Sequence, residues 1–347
     1  MKTDDFNFEL PESSIAQYPT EKRGESRLFV LERASGERTH SMVSELSAFL
    51  EPGTVMVFND SKVRKARLYG TALDTGAKVE FLLLAPAMGQ VDPMSGATTW
   101  IAMTSKSRRQ KIGRGYLFPG ELRGSIIAEK DDEKILEFEA PVGDAYLDVH
   151  GHIPLPPYIK RSDESSDSDR YQTIYAKTTG SAACPTAGLH FTKAILDSVA
   201  ASGVSIEWVT LHVGLGTFLP VRVDQIEQHK MHEEWYTVSE KTAAAVNAAK
   251  REGRKILAVG TTSLRTLESA WEPLGLRAGA SSTSIFIYPG YRFNVVDQLF
   301  TNFHTPKSTL LMLVSAFAGR EAILNAYREA LDKGYRFFSY GDAMLIR

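Results

Sequence analysis

Three of the eight histidines stand where the sequence pattern predicts the end of a strand or the start of a helix. His190 precedes a helical pattern, His212 ends a strand pattern, and His304 comes shortly before another helical pattern. An imidazole titrates near neutral pH, so it can remove or deliver a proton in a reaction at that pH. Ligands bind beyond the carboxyl ends of strands in α/β sheets. A structural role and a catalytic role are both open for these histidines at this point.

A second candidate site is the sequence Gly260-Thr261-Thr262-Ser263, which follows an apolar run and opens a helical pattern. The first N–H groups of a helix have no partner within it, so such a start can bind an anion or a carboxylate. The same residues would also serve as a plain helix cap. The spaced glycines and the lysine of a P-loop are missing. Gly214 and Gly216 form a G-x-G pair, but no third glycine or helix follows, so a dinucleotide site is not supported.

His229 and His232 lie about one helical turn apart and beside two acidic residues, an arrangement that can bind a metal ion. The pattern is not H-E-x-x-H and no third ligand is evident, so we expect no metal site. The single cysteine, Cys184, excludes a disulfide framework and a thiolate zinc cage, because both need several sulfur atoms. A reducing, cytoplasmic location is the simplest interpretation.

The formal net charge of −2 argues against a protein that binds nucleic acid through its overall charge. This value is a cancellation, however. Residues 62–114 hold ten basic and three acidic side chains, whereas residues 115–170 hold six basic and thirteen acidic ones. The densest basic run, residues 106–114, could follow a phosphate backbone, although a solvated surface loop is the alternative.

The elements that must position these residues change character along the chain. A hairpin is predicted for residues 27–40, a helix for 42–50 and a buried strand for 54–58. Residues 62–149 contain short strand patterns separated by Gly, Pro and Asp, which is typical of a small barrel, and we interpret them as an inserted β domain. Prolines stiffen the connector at 150–158.

Beyond the connector, strands and helices alternate, which predicts a layered α/β sheet with helices on both faces. The discontinuous α/β domain then comprises residues 1–61 and 150–347. No secretory pattern opens the chain, and the apolar run at 310–318 is about half the length that crosses a bilayer, so we expect no membrane function. The pattern predicts helices at 192–201, 239–252, 263–271, 308–318 and 320–333, and strands at 204–212, 255–259 and 284–288.

Several segments together resemble one family in order and over nearly the whole chain. That family is the S-adenosylmethionine:tRNA ribosyltransferase-isomerases, the QueA family of queuosine biosynthesis. The sequence departs from the usual family pattern at Cys184, where alanine is common, and at Arg64-Lys65, where Ile-Pro is typical. The stretches that carry the resemblance are FNFELPE (6–12), VFNDSKV (57–63), ARL (66–68), GHIPLPPYI (151–159), YQTIY (171–175), PTAGLHF (185–191), TLHVGLGTF (210–218), VGTTSLR (259–265), TNFH (301–304) and residues 335–346.

The resemblance implies a three-layer αβα sandwich with an inserted small antiparallel β-barrel, which agrees with the change of pattern at residue 62. It also implies that S-adenosylmethionine, a co-substrate and not a bound prosthetic group, donates its ribosyl group. The acceptor would be 7-aminomethyl-7-deazaguanine at the wobble position of a tRNA with a GUN anticodon. Adenine and methionine would leave, and the product would be epoxyqueuosine-tRNA. We expect a monomer without a membrane partner.

Roles for individual residues follow only from placing this chemistry on the matching motifs. His190 and His212 would supply a base and an acid, and His304 would assist or position. Arg265 or Lys307 would hold the methionine carboxylate or a phosphate, Asp342 a ribose hydroxyl, and Tyr340 would stack on a ring. The remaining substrate-binding candidates are Arg67, Thr186, Gly188, Gly214, Gly216, Thr261, Thr262 and Ser263, and the tRNA-binding candidates are Lys62, Arg64, Lys65, Lys106, Arg108, Arg109, Lys111 and Arg114.

Two other functions stay open at this point. A methyltransferase could use the same co-substrate, but no glycine-rich fingerprint follows the first strand. An inactive tRNA-binding module would bind tRNA without releasing adenine.

Overall fold

The computed structural model describes residues 1–87, 96–130, 133–214 and 221–347. The strands, numbered in chain order, are β1 (Arg27–Leu31), β2 (Arg38–Met42), β3 (Val55–Asn59), β4 (Ser61–Val63), β5 (Arg67–Ala72), β6 (Lys78–Pro86), β7 (Ala97–Thr104), β8 (Gly115–Leu117), β9 (Arg123–Lys130), β10 (Glu133–Val142), β11 (Thr178–Ser181), β12 (Ser205–Leu211), β13 (Glu234–Val238), β14 (Ile256–Val259), β15 (Trp271–Glu272), β16 (Gly275–Leu276), β17 (Gly279–Thr283), β18 (Gln298–Asn302) and β19 (Ala343–Ile346).

The α-helices are α1 (Asp144–His150), α2 (Asp167–Arg170), α3 (Lys193–Ala201), α4 (Glu240–Arg251), α5 (Gly260–Ala270), α6 (Thr309–Ala318) and α7 (Arg320–Asp332). Short 3₁₀ helices span Thr3–Phe6, Glu12–Ser14, Val43–Phe49, Ser107–Arg109, Pro119–Glu121, Thr186–His190 and Ile226–Gln228.

Nine strands form one large sheet in the order β17-β13-β12-β3-β14-β18-β19-β1-β2. Its centre, β12-β3-β14-β18, is parallel. Every residue of β3 and β14 is buried, which explains why both read as continuous apolar runs in the sequence.

Side chains of the central strands alternate between two cores. Val55 and Val57 of β3 pack into the core that includes α4 to α7, whereas Met56 and Phe58 pack into the core that includes α3. Helices therefore cover both faces of the sheet, and the predicted αβα sandwich is confirmed. The Ser239 hydroxyl accepts a hydrogen bond from Thr242 N over 3.1 Å, which also confirms the expected cap of α4.

The inserted barrel is closed and antiparallel, in the order β10-β7-β6-β5-β8-β9. Its interior is filled by apolar side chains, among them Phe81, Trp100 and Tyr116, so it is a packed core with no lumen within the described residues. Five of its strands correspond to the predicted ones, and the three-residue β8 was not predicted. The predicted boundary at residue 62 falls inside β4, which pairs with β11 of the α/β domain.

The predicted strand at 284–288 is wrong. The strand β17 ends at Thr283, whose hydroxyl accepts a hydrogen bond from Ile285 N over 3.0 Å and turns the chain away from the sheet edge. Ile285, Phe286 and Tyr288 are partly buried against the main core instead. Residues 43–49 form a 3₁₀ helix within the predicted α-helical stretch. In the α/β domain the strands β4, β11, β13 and β15 to β19 were not predicted.

In the described part of the chain no single helix is long and apolar enough to cross a membrane. The helices α6 and α7 together reach that length and composition, but they are bent by 112° at Gly319. Both contribute buried side chains to the main core.

Candidate active site

A pocket lies at the carboxyl edge of the large sheet. Because β12, β3, β14 and β18 run parallel, the residues that follow them meet at one edge. Its lining includes Val213 after β12, Gly260 to Thr262 after β14, and Thr301 to Thr305 at the end of β18. Further lining residues are Tyr158, Cys184, Pro185, Thr186, Ala187, Leu310, Phe338 and Ser339.

The start of α5 forms one wall of this pocket. Gly260 has φ +87°, a left-handed conformation that suits glycine. Thr261 and Thr262 line the pocket and are each 7% exposed, and the Thr262 hydroxyl is buried without a hydrogen-bond partner in the described residues. Ser263 turns back and donates to Val259 O over 2.8 Å, so it stabilises the helix start. An oxygen-bearing ligand at this wall would meet an unsatisfied hydroxyl and free helix N–H groups.

His304 lines the pocket directly. Its Nε2 lies 3.0 Å from the Thr301 hydroxyl, and its backbone N–H donates to the Tyr327 hydroxyl over 3.0 Å. Burial lowers the pKa of His304 to about 3, so the ring is neutral at neutral pH. A neutral imidazole on the pocket wall can exchange hydrogen bonds with a ligand, but it is a weak base.

His190 lies behind the pocket wall and is 3% exposed. Its Nδ1 lies 2.8 Å from the Ser26 hydroxyl, and its Nε2 lies 3.1 Å from Asn302 Nδ2. Burial, the largest cause, lowers its pKa to about 4. Both ring nitrogens are therefore occupied within the protein, and its link to the pocket is through Asn302, a lining residue.

His212 follows β12 directly and precedes the lining residue Val213. Its ring packs on Gly180, where a Cβ atom would come within 2.9 Å of the imidazole. Burial lowers the pKa of His212 first, nearby Arg64 lowers it further, and Asp60 opposes both. Nδ1 has no hydrogen-bond partner in the described structure. Of the three histidines, His212 combines partial exposure with an unoccupied ring nitrogen.

The two candidate carboxylate-binding cations are both engaged in ion pairs. Arg265, 3% exposed, pairs with Glu234, whose other oxygen accepts from Gly214 N over 3.1 Å. The Arg265 Nε and Nη2 atoms are buried with no partner in the described residues. Lys307 has φ +55° and its Nζ lies 2.7 Å from Asp4 Oδ1. Neither side chain lines the pocket as it stands.

Asp342 and Tyr340 are also held by the protein itself. The two Asp342 oxygens accept from Arg27 N over 2.9 Å and Arg336 N over 2.8 Å. The Tyr340 hydroxyl donates to Asp167 over 2.7 Å, and its ring meets Tyr171 edge to face at 5.9 Å. Both are buried and fix the turn that carries Phe338 and Ser339 into the pocket.

The other predicted substrate-binding residues occupy different places. Thr186 lines the pocket, and its hydroxyl lies 3.5 Å from Asn302 Oδ1. Gly188 is required by close packing, because a Cβ there would lie 2.1 Å from the Tyr175 hydroxyl. Arg67 lies at the junction with the barrel, where it donates to Leu155 O over 2.8 Å. Gly216 falls outside the described residues.

Phe338, Tyr158 and Asn302 are among the pocket residues that were not predicted. Phe338 has φ +72°, which is strained for an aromatic residue, and its ring lies 4.6 Å from that of Tyr158. Asn302 donates to Phe338 O over 3.0 Å as well as to His190. All three stand in motifs that carried the family resemblance, and this was the only sequence signal available.

The basic loop at residues 106–114 is a built structure on the barrel. Gln110, 2% exposed, donates to Ser105 O over 3.1 Å and accepts from the Tyr116 hydroxyl over 2.8 Å. Arg114 pairs with Asp74 over 2.9 Å and also donates to Gln110, so it braces the loop. The basic side chains left exposed on this loop are Lys106, Arg108, Arg109 and Lys111.

The other tRNA-binding candidates lie at the domain junction. Lys62 is exposed, and Lys65 Nζ donates to Asp148 O over 3.1 Å. Arg64 is largely buried, pairs with Asp144 of α1 over 2.7 Å and lies 5.4 Å from the Trp100 ring centroid. Arg64 N also donates to Ser181 O of β11 over 3.0 Å, so Arg64 joins the barrel to the α/β domain.

Among the described residues no group of three or more His, Cys, Asp or Glu side chains could hold a metal ion. His229 packs its ring at 5.3 Å from that of Phe286. Cys184 is a small, buried pocket residue, and burial raises the pKa of its thiol.

The fold and the site define an α/β protein with a ligand pocket at the sheet edge and a closed antiparallel barrel, which bears a basic loop, between β4 and α1. Comparison with known proteins makes this specific, since the model of a family described as queuosine biosynthesis protein matches residues 3–346. The chain belongs to this family.

Curated relatives match over the full length of both chains. The chain is 52% identical over 352 residues to the S-adenosylmethionine:tRNA ribosyltransferase-isomerase of Treponema denticola and 50% identical over 346 residues to that of Legionella pneumophila (strain Corby). A crystal structure of S-adenosylmethionine tRNA ribosyltransferase from Thermotoga maritima is 35% identical, with a TM-score of 0.56, over 99% of this chain and all of that one. The resemblance inferred from the motifs is confirmed.

Proposed function

We propose that this protein is an S-adenosylmethionine:tRNA ribosyltransferase-isomerase. It transfers the ribosyl group of S-adenosylmethionine to 7-aminomethyl-7-deazaguanine at the wobble position of a GUN-anticodon tRNA and isomerises it, giving epoxyqueuosine-tRNA, adenine and methionine. The observation that carries this proposal is full-length identity of about half with enzymes of that name, and six of the ten motifs that carry the resemblance contribute residues to one pocket.

The reaction begins with removal of a proton from the carbon beside the sulfonium group. We assign that proton to His212, because its Nδ1 has no hydrogen-bond partner in the described residues and its pKa, lowered mainly by burial, keeps the ring neutral and able to accept a proton. The attacking nucleophile is the substrate's own amine, so the protein needs no Ser or Cys nucleophile. This agrees with the protonated state of buried Cys184.

The pocket wall at α5 suits the carboxylate of the methionine moiety. The helix start supplies N–H groups and the Thr262 hydroxyl supplies an unsatisfied donor. The rings of Phe338 and Tyr158 offer an apolar, aromatic surface for a purine. His304 contributes a neutral hydrogen-bonding group, and His190 acts as a positioning residue through Asn302.

The tRNA contacts the barrel through the exposed side chains of the basic loop. Hydrogen bonds of Gln110 hold this loop in place, so its four cations can contact a phosphate backbone without much further ordering of the loop. The site needs S-adenosylmethionine as co-substrate and no prosthetic group. We place the protein in the cytoplasm, because its single cysteine forms no disulfide within the chain. We propose that it acts as a monomer, because one chain supplies all the residues of the pocket.

The experiment is incubation with tRNA bearing the aminomethyl base and S-adenosylmethionine labelled in the ribose. Transfer of label into tRNA with release of adenine and methionine is expected. Methyl transfer without ribosyl transfer would establish the methyltransferase alternative, and tRNA binding without adenine release would establish the inactive binding module. Either result would overturn the proposal.

A further inference from the structure

A second cavity lies outside the active-site pocket, between the outer face of the barrel and the connector that follows α1. It has a volume of about 410 Å³ and a polar lining, in contrast to the packed barrel interior. The lining residues are Tyr69, Lys78, Glu80, Ser105, His152, Ser162 and Asp163. We call it the connector cleft.

Two rings form adjacent walls of the connector cleft. Tyr69 of β5 and His152 of the connector have ring centroids 5.1 Å apart and planes inclined by 74°. A flat heterocycle that stacks on one ring therefore presents its edge to the other. The hydroxyls of Ser105 and Ser162 lie along the same lining and can bond to polar edge groups.

Among the charged side chains that line the connector cleft, Lys78 is the cation that forms no ion pair within the described residues. Glu80 is paired with Arg67 at 3.0 Å, and Asp163 holds His152 at 3.0 Å and Ile153 N at 3.2 Å. Lys78 Nζ lies 4.2 Å from the Tyr69 ring centroid, and no carboxylate of the described residues is within ion-pair distance of it. The cleft thus combines aromatic walls with a single cation, which suits one nucleotide.

The connector cleft continues directly into the basic loop. Ser105 N donates to Glu80 O over 2.9 Å, and Glu80 N donates to the Ser105 hydroxyl over 3.0 Å. The next residue, Lys106, begins the loop and has φ +52°. A single-stranded RNA segment whose phosphates lie on this loop would pass the opening of the connector cleft.

The connector also borders the active-site pocket. His152 lines the cleft and Tyr158 lines the pocket, and six residue steps span at most about 21 Å. His152 is fixed to the barrel by hydrogen bonds with Arg67, from His152 N to Arg67 O over 2.8 Å and back over 3.3 Å. One RNA loop can therefore reach both cavities.

We propose that the connector cleft binds an unpaired nucleotide of the tRNA other than the wobble nucleotide. Its base stacks on Tyr69 with its edge toward His152, and its phosphate pairs with Lys78. Splayed bases stacked on aromatic side chains are the usual means by which proteins recognise single-stranded RNA. This inference rests on the proposed function, since it takes tRNA as the partner.

The test measures the dissociation constant of the tRNA anticodon stem-loop for the wild type, Tyr69→Ala, Tyr69→Phe and Lys78→Gln, with Lys130→Gln as control. Lys130 is an exposed barrel lysine outside the cleft. Loss of one stacked base is worth about 1–3 kcal/mol, so Tyr69→Ala should weaken binding by roughly 5- to 150-fold. Tyr69→Phe and Lys130→Gln should bind within about twofold of the wild type.

A second set of stem-loops carries an abasic site at each unpaired position other than the wobble position. If the missing base is the one that stacks on Tyr69, the abasic stem-loop should bind the wild type and Tyr69→Ala with equal dissociation constants. That position identifies the stacked nucleotide. The inference would be overturned if Tyr69→Ala bound every abasic stem-loop more weakly than the wild type by the same factor. It would also be overturned if Tyr69→Ala bound the intact stem-loop as tightly as the wild type. A wild type that binds the stem-loop but transfers no ribosyl group would refute the proposed function and leave this binding test intact.

Discussion

Asn302 Nδ2 lies 3.1 Å from His190 Nε2 and 3.0 Å from Phe338 O, so one amide group connects the buried histidine to the strained aromatic residue of the pocket. Because the amide donates, His190 Nε2 must accept, and Nδ1 carries the proton toward the Ser26 hydroxyl. The two NH hydrogens of Asn302 are thus both used, which fixes the His190 tautomer and the Phe338 backbone together.

The neutral state of His190 predicts a loss of stability in acid. Its pKa is about 4 in the folded protein against 6.5 ordinarily, so below pH 6.5 the unfolded chain gains a proton that the folded chain does not bind. At pH 5 this costs about 2 kcal/mol of unfolding free energy, rising to about 3 kcal/mol below pH 4. Denaturant unfolding at pH 7.5 and pH 5 should show it. His190→Gln should remove this part of the pH dependence and leave the part due to His304, and an unchanged slope would contradict the assignment.

The assignment of His212 as base predicts a loss of turnover without a loss of folding. His212→Asn should lower kcat by about 10²- to 10⁴-fold, because a positioned base contributes that much. The thermal unfolding midpoint should stay close to that of the wild type. His232→Asn is the matched control, since His232 is exposed and lies outside the pocket. Wild-type adenine release by His212→Asn would remove it as the base.

The Thr262 hydroxyl predicts opposite effects on binding and stability. Thr262→Val removes a buried hydroxyl that has no partner among the described residues, so the unfolding free energy should rise by up to about 1–2 kcal/mol. The same change should raise the dissociation constant for S-adenosylmethionine about tenfold, the value of one hydrogen bond. Isothermal titration and denaturant unfolding measure the two quantities. Thr266→Val serves as control, because Thr266 donates to Thr262 O within α5.

The basic loop predicts a change in the salt dependence of tRNA binding. Replacing Arg108, Arg109 and Lys111 together by Gln removes three exposed cations, so the slope of log K against log salt should become shallower by up to about 2. A control variant replaces three exposed cations of α3 and α4, Lys193, Lys241 and Arg251, and should keep the wild-type slope. Equal slopes for both variants would exclude the loop as a phosphate contact.

The sequence located the barrel, the strands β3, β12 and β14 and the helices α3 to α7, because these elements carry strong periodic patterns. It did not locate β13 and β17 to β19 of the large sheet. It failed at residues 284–288, where the hydrogen bond at Thr283 turns an apolar segment off the sheet. The same limit applies to the site. Thr262 and His304 were predicted from their place at element ends, and both line the pocket. Phe338 and Tyr158 reach it through tertiary packing, which no local pattern reports.

The roles predicted for charged residues were the least informative part. Arg265, Asp342 and Arg114 carry groups that suit a ligand, but each is held by a partner inside the protein. A sequence shows which charged group a side chain carries. It does not show whether that group already forms an ion pair or a hydrogen bond inside the folded protein.

The position of β19 has a consequence for synthesis of the protein. This strand lies inside the large sheet, between β18 and β1, although it is translated after more than three hundred other residues. Until it emerges, Leu28 and its neighbours in β1 lack their parallel partner, and β18 presents an open edge. The barrel, whose strands pair within about eighty residues, can fold early, while the α/β domain waits for its final strand. Until β19 is translated, β1 and β18 therefore lack their shared neighbour, whereas every strand of the barrel already has its partners.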